Sequence, residues 1–323
     1  METINLKVNS VQQQRVAFID IAKGLGIIWV LIGHTPNLPI PYYGTIAFSF
    51  HMPLFFILSG MCFKRREQQL CFANSFKRLV FPYLFTILLF LAFNFILKYY
   101  NECKQWIWGG VHGLLFPVRY GLWFYAALFW GKILLNDLIK FSPIICFIIS
   151  VLLAYLGIYT FPIFTLPYGI QNGCIALLFL YIGVFAKQYN VFDKSRWYWL
   201  LFCFIIWGIA VVKGFGYFTL YNCKIELIQI ITSCCACYVV INFSKLLSHF
   251  IYIKDILSWI GKRTSIIFSF HLFELHTGIS QYIAECCFNT DNACYIFFVR
   301  CVWCFLFAGI IPKIPYIKKI YSM

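Results

Sequence analysis

Three histidines and a handful of charges sit in stretches otherwise too apolar to hold them, and their spacing is where chemistry would be sought. The first stretch carries Arg15, Asp20, Lys23 and His34, with Gly24, Gly26 and Gly33 between them. Lys23 and His34 are eleven residues apart, about 16 Å along a helix and close to three turns, so they share a face. The glycines keep one side of that helix slim, which permits close contact with another helix or a bound chain. A second histidine, His51, stands in Phe50-His51-Met52-Pro53-Leu54-Phe55-Phe56 with Ser59-Gly60 beyond it. The short connection from His34 returns His51 to the same end, and Pro53 leaves a helix carbonyl for a neighbour or water to satisfy. A third group is Ser265, Ser269, His271 and Glu274. His271 and Glu274 are three apart and face one another, and a carboxylate beside an imidazole fixes its tautomer and steadies the imidazolium. Imidazole is the side chain best suited to moving protons near neutral pH. Each group also has a plainer reading: Lys23 snorkelling to an interface or pairing with Asp20, His34 as an interfacial hydrogen-bonding residue, and His271–Glu274 as a polar tie between helices.

The elements that must position these groups are spanning helices. Apolar runs between polar or proline breaks fall at 17–35, 44–62, 79–97, 121–139, 143–160, 170–186, 197–212, 225–243, 264–284 and 293–312. Hydrophobic residues make up 62% and charged residues 11% of 323, too few charges to clothe a soluble domain, and mean hydropathy is +0.80. A spanning helix needs about 20 apolar residues, so the chain reads as an all-α polytopic membrane protein of about ten transmembrane helices. An N-terminal segment 1–16 and a C-terminal tail 313–323 flank a transmembrane domain 17–312. No cleavable signal peptide is expected, because no small-residue site follows the first apolar run. The amphipathic stretch from Ile251 to Gly261 is expected along the interface.

Orientation follows from the basic residues. With a cytoplasmic N-terminus, 18 of the 26 Lys and Arg lie on inner segments and 5 on outer ones (Lys98, Lys104, Arg119, Lys213, Lys224), while Lys23, Lys132 and Arg300 fall inside spans. That bias places both termini in the cytoplasm. It also accounts for the net charge of +15 through the anionic inner leaflet, with no need for nucleic acid. The 15 cysteines scatter through apolar runs; Cys301 and Cys304 form a CxxC on a spanning run and no suitable His pair completes a zinc set, so they read as small buried hydrophobes and no metal is expected.

Several of these segments, taken in order, resemble the acyltransferase-3 family. They are Lys23-x10-His34, the Phe50–Phe56 run with Ser59-Gly60, Arg78-x3-Pro82-Tyr83, Leu122-Trp123-Phe124 and Gly261-x3-Ser265-x5-His271. The Phe50–Phe56 run is similar to the fucose 4-O-acetylase-like branch; Lys23 stands where the family signature usually begins with Arg. The resemblance covers nearly the whole chain. It implies a multi-pass enzyme of the cell (inner) membrane that takes an acyl group from cytoplasmic acyl-CoA, most often acetyl-CoA, and passes it to a sugar hydroxyl of a surface polysaccharide or lipid-linked glycan. Its partners would be acyl-CoA, the sugar acceptor and membrane lipids.

On that reading Lys23, Arg65, Arg66, Lys77 and Arg78 hold the CoA phosphates by charge-assisted hydrogen bonds. His34 takes the proton of the acceptor hydroxyl as it attacks the thioester, and His271 orients or assists. His51, Ser59 or Trp123 supplies a donor to the oxyanion, and Trp123, Ser59 and Glu274 contact substrate. A transporter or flippase for a lipid-linked glycan would also carry charges within spans, but no pseudo-repeat of broken helices is evident. A non-catalytic membrane protein would have no reason to gather three histidines.

Overall fold

The computed structural model describes residues 2–96, 123–216, 218 and 225–321. Lys98, Lys104, Arg119 and Lys224 of the outer count, and Leu122, lie outside them. Among the described residues every regular element is helical. The chain runs through α1 (Glu2–Gly33), α2 (Tyr43–Met61), α3 (Gln68–Ser75), a π-helical turn (Phe76–Val80), α4 (Phe81–Ile96), α5 (Trp123–Leu138), α6 (Pro143–Thr160) and α7 (Ile170–Gln188). It continues through α8 (Trp197–Lys213), α9 (Leu227–Leu247), α10 (Ile251–Lys262), α11 (Thr264–Thr277), α12 (Ile279–Phe288), α13 (Ala293–Ile310) and α14 (Pro315–Ile320).

Six segments among the described residues are long and apolar enough to cross a membrane: Tyr43–Met61, Gln68–Phe93, Pro143–Thr160, Pro167–Gln188, Leu227–Leu247 and Ala293–Lys313. Trp197–Lys213 is a shorter apolar helix.

Two elements differ from the sequence expectation. The polar stretch before the third apolar run is helix, so α3, the π turn and α4 make one rod, with Lys77 and Arg78 on its π turn rather than in a loop. Its Asn74, Ser75 and Arg78 line a cavity within the protein, so a helix can carry these polar groups. The run 264–284 is broken: Gly278 takes φ +64 and accepts the end of α11 before α12 begins. Thr277-Gly278 is an ordinary helix stop, since glycine enters the left-handed region without a Cβ clash.

α2 and α7 form the centre of the bundle. Phe50, Leu54, Phe56 and Leu58 of α2 and Ile175, Leu177, Phe179 and Leu180 of α7 are fully buried. The two helices approach through glycine on both sides. A Cβ on Gly60 would overlap the Leu180 carbonyl, and one on Gly183 would overlap the Ile57 carbonyl. α10 packs on α1 by the same device, Gly261 lying on the Asp20 carbonyl and Gly24 on the Leu257 carbonyl. α10 is therefore docked on the helix that carries Lys23 and His34, while its Ile251, Tyr252 and Ile256 point outward. α6 and α8 present Ile144, Phe147, Leu152, Trp199, Phe202 and Ile209 to the outside, a pattern expected of faces that meet lipid rather than water.

The cysteines divide. Cys71, Cys146, Cys237 and Cys304 are buried, as small hydrophobes would be, but Cys62, Cys286, Cys287 and Cys294 are exposed.

Candidate active site

The last turn of α1 fixes the first imidazole. His34 Nδ1 lies 2.8 Å from the Val30 carbonyl oxygen, which the His34 backbone N–H also reaches at 3.1 Å. A carbonyl can only accept, so Nδ1 carries the hydrogen and Nε2 keeps a free lone pair. His51 does the same on α2, with Nδ1 2.5 Å from the Ala47 carbonyl. In both cases the helix's own backbone, four residues back, sets the tautomer.

The three histidines meet. The His34 ring centroid is 5.1 Å from that of His271 and 6.4 Å from that of His51. Phe48 packs against both His34 and His51, at 5.3 and 5.2 Å. His51 and His271 are buried, and neither nitrogen of His271 has a hydrogen bond among the described residues.

A buried ion pair stands behind His271. Glu274 Oε2 is 3.5 Å from His271 Nδ1, long for a hydrogen bond. Arg300 of α13 grips the same carboxylate with two bonds, Nε to Oε2 at 2.7 Å and Nη2 to Oε1 at 3.1 Å. Its Nη1 donates to Thr35 Oγ at 2.7 Å, and the Thr35 hydroxyl donates on to the Leu31 carbonyl at 2.9 Å. With both oxygens held by Arg300, Glu274 serves the protein before any substrate.

Below the histidines opens a cavity of about 510 Å³. Among the described residues five cations line it, Lys23, Lys64, Arg66, Arg78 and Lys132, and no carboxylate does. Lys23 keeps an ion pair with Asp20 at 3.7 Å. Met52, Phe55, Phe124, Leu128 and Phe268 give the cavity apolar sides, and Ser59, Asn74, Ser75, Tyr125 and Ser265 give it polar ones. Tyr125 ties α5 to α11 across its wall, its hydroxyl donating to the Ser265 carbonyl at 3.2 Å and lying 3.1 Å from Ser269 Oγ. Lys23, Ile27 and Val30 of α1 form one stripe along the cavity, and the next residue of that stripe, one turn on, is His34.

Arg66 is presented by a clasp. The segment 63–67 has no helix of its own, and fully buried Asn136 of α5 holds it. Its Oδ1 accepts from the Arg66 N–H at 3.0 Å, and its Nδ2 donates to the Arg66 carbonyl at 3.0 Å and to Gln68 Oε1 at 2.7 Å.

The sequence-predicted residues thus fall into two groups. His34, His51, His271 and Glu274 come together at one place, and Lys23, Arg66, Arg78 and Ser59 along the cavity. Arg65 and Lys77 are exposed and are not on the cavity wall. Trp123 is buried against Phe124, off the wall. Ser59 lies eight residues from His51, about 12 Å along α2, so the two cannot serve one oxyanion. Lys64, Lys132, Asn136 and Arg300 were not anticipated in the site. A charge inside an apolar run was the available signal for Lys132 and Arg300; Asn136 offered none.

Among the described residues no group of three or more His, Cys, Asp or Glu side chains is placed to hold a metal ion. A family model described as an acyltransferase domain matches residues 16–311. No curated protein and no solved structure matches the chain.

Proposed function

The chain belongs to the acyltransferase-3 family, and from that premise we propose an integral membrane O-acyltransferase that moves an acyl group, acetyl in the first instance, from acyl-CoA to a sugar hydroxyl of a surface polysaccharide or lipid-linked glycan. Transfer of acyl groups by a membrane-helical protein is what the family match and the six apolar helices support together. About ten spans, on the apolar runs of the sequence, with both termini cytoplasmic, on the bias of Lys and Arg toward one side, in the cell membrane, complete the reading.

One observation carries the proposal: Lys23, Ile27 and Val30 line a cationic cavity, and the same helix face ends one turn later in an imidazole whose Nδ1 is committed to Val30. Five cations suit a polyanion such as the phosphates of CoA, and the apolar sides suit its arm. The acceptor hydroxyl attacks the thioester carbon while His34 Nε2 takes its proton. The tetrahedral oxyanion then collapses, the C–S bond breaks, and the departing thiolate recovers the proton from His34. His51 presents a lone pair rather than an N–H in this tautomer, so it cannot donate to an oxyanion and suits accepting from a neighbouring hydroxyl of the sugar. His271, 5.1 Å from His34 between ring centroids and with Glu274 at its Nδ1, orients or assists this transfer.

Purified protein in detergent, given acetyl-CoA, should release free thiol, and His34→Ala should not. Mass spectrometry of surface glycans with and without the gene should differ by the mass of one acyl group on a sugar. Thioester cleavage that ignores His34, or glycans of identical mass, would refute the proposal.

A further inference from the structure

Arg300 has no part in the chemistry described so far, yet it is the most deeply committed charge near it. Its side chain is 5% exposed and that of Glu274 is 2% exposed. A charge within a membrane helix is costly and is retained where it has work to do. The partners are specific. Arg300 spends its planar fork on both oxygens of Glu274 and its remaining Nη1 on Thr35 Oγ. Thr35 is the residue after His34. Glu274 is one turn beyond His271 and faces its Nδ1. The Thr35 hydroxyl has its own hydrogen on Leu31, so its lone pair is aimed at the guanidinium by the helix itself.

We infer that Arg300 is a positioning residue for the histidine cluster: one guanidinium clamps the end of α1 at Thr35 and α11 at Glu274, and so sets the separation of the His34 and His271 imidazoles, 5.1 Å between centroids. The inference rests on the acyl-transfer reading above. It assigns Glu274 to Arg300 and His271 in place of the substrate contact expected from sequence. A tie between helices that only held the bundle together would be replaceable by apolar side chains, because a buried ion pair is often exchanged for hydrophobic residues without loss of stability. A tie that sets a reacting geometry is not replaceable in that way, since a displacement of about 1 Å can cost 100-fold in rate.

The test uses the full chain in detergent, acetyl-CoA as the probe, and thiol release as the readout. Arg300→Gln, Arg300→Lys, Thr35→Val and the double variant Arg300→Leu/Glu274→Leu are compared after size-exclusion and thermal-melt checks of folding. Arg300→Gln and the double variant should lose about 100-fold in kcat with donor KM within twofold. Arg300→Lys should recover part of that loss, and Thr35→Val, which buries no new charge, should lose about tenfold. If Arg300→Gln does not fold, the double variant and Thr35→Val decide. A folded double variant turning over within twofold of the native protein, or a loss confined to donor KM, would overturn the role. Loss in His34→Ala with full activity in the Arg300 variants would sink this inference alone. Full activity in both sets would sink the acyl-transfer reading and this role with it.

Discussion

Asn136→Ala should raise the KM for acyl-CoA by about 10- to 30-fold and leave kcat within twofold. Asn136 is fully buried and makes three bonds, at 3.0, 3.0 and 2.7 Å, to the backbone of Arg66 and the side chain of Gln68. Hydrogen bonds between helices in membranes average about 0.6 kcal/mol, and those in soluble proteins about 1. Two of them hold Arg66 and the third holds Gln68 beside it, by about 2 to 3 kcal/mol together, and each 1.4 kcal/mol is tenfold in an equilibrium constant. Part of that is recovered, because the Arg66 backbone is only part-buried and water can replace Asn136, which brings the expectation to the lower end. The loss should fall on donor binding, since the segment carries Lys64 and Arg66 to the cavity wall and touches none of the histidines. Initial rates of thiol release against acetyl-CoA concentration separate the two parameters. An unchanged KM in Asn136→Ala, alongside a raised KM in Arg66→Ala, would show that the clasp does not present Arg66. A kcat that falls with KM unchanged would place the effect at the chemical step and refute the argument.

His34→Ala should reduce acyl transfer by at least 100-fold while the protein still inserts and purifies; native rates in that variant would remove the general base. Lys23→Ala should weaken acyl-CoA binding by about tenfold, measured calorimetrically with CoA, the size limited by the ion pair Lys23 already makes with Asp20; unchanged affinity would take Lys23 out of the donor site. Gly261→Ala should lower the melting temperature sharply, because its Cβ would overlap the Asp20 carbonyl, whereas Gly208→Ala meets open space and should be tolerated; equal melting of the two variants would contradict the close approach of α10 to α1.

The histidine cluster was legible because its parts are local in sequence. Lys23 and His34 share one helix face by spacing alone, and a loop too short to wander returns the chain to His51. Arg300 could be seen as a charge in an apolar run, but its partners stand 26 and 265 residues away, and no periodicity links α13 to Thr35 or Glu274. Asn136 was invisible for a similar reason: a lone amide in an apolar helix reads the same whether it clasps a loop or satisfies itself. The polar stretch before the third apolar run falls outside the apolar pattern, so nothing in the sequence marks it as helix, although Asn74, Ser75 and Arg78 line a cavity within the protein. Arg65 and Lys77 show the converse error. A run of basic residues gives the charge of a neighbourhood; in the helix-free segment 63–67 Lys64 and Arg66 reach the cavity and Arg65 does not, while on the π turn helix phase, hard to count there, delivers Arg78 and not Lys77.

That π turn, Phe76–Val80, bears on how the chain can change its length. Each residue of a helix advances the backbone by about 100°, so a deletion anywhere in a plain helix swings all that follows onto another side. A π turn holds one residue more than an α turn. Losing one there would close the turn to ordinary pitch, with Cys71 and Asn74 before it and Tyr83, Thr86 and Phe90 after it still facing as they do. The cost would fall on Arg78 and Leu79, which the wide turn delivers to the cavity. The rod from Gln68 to Phe93 thus has a slack point, placed where its one cavity-lining cation enters.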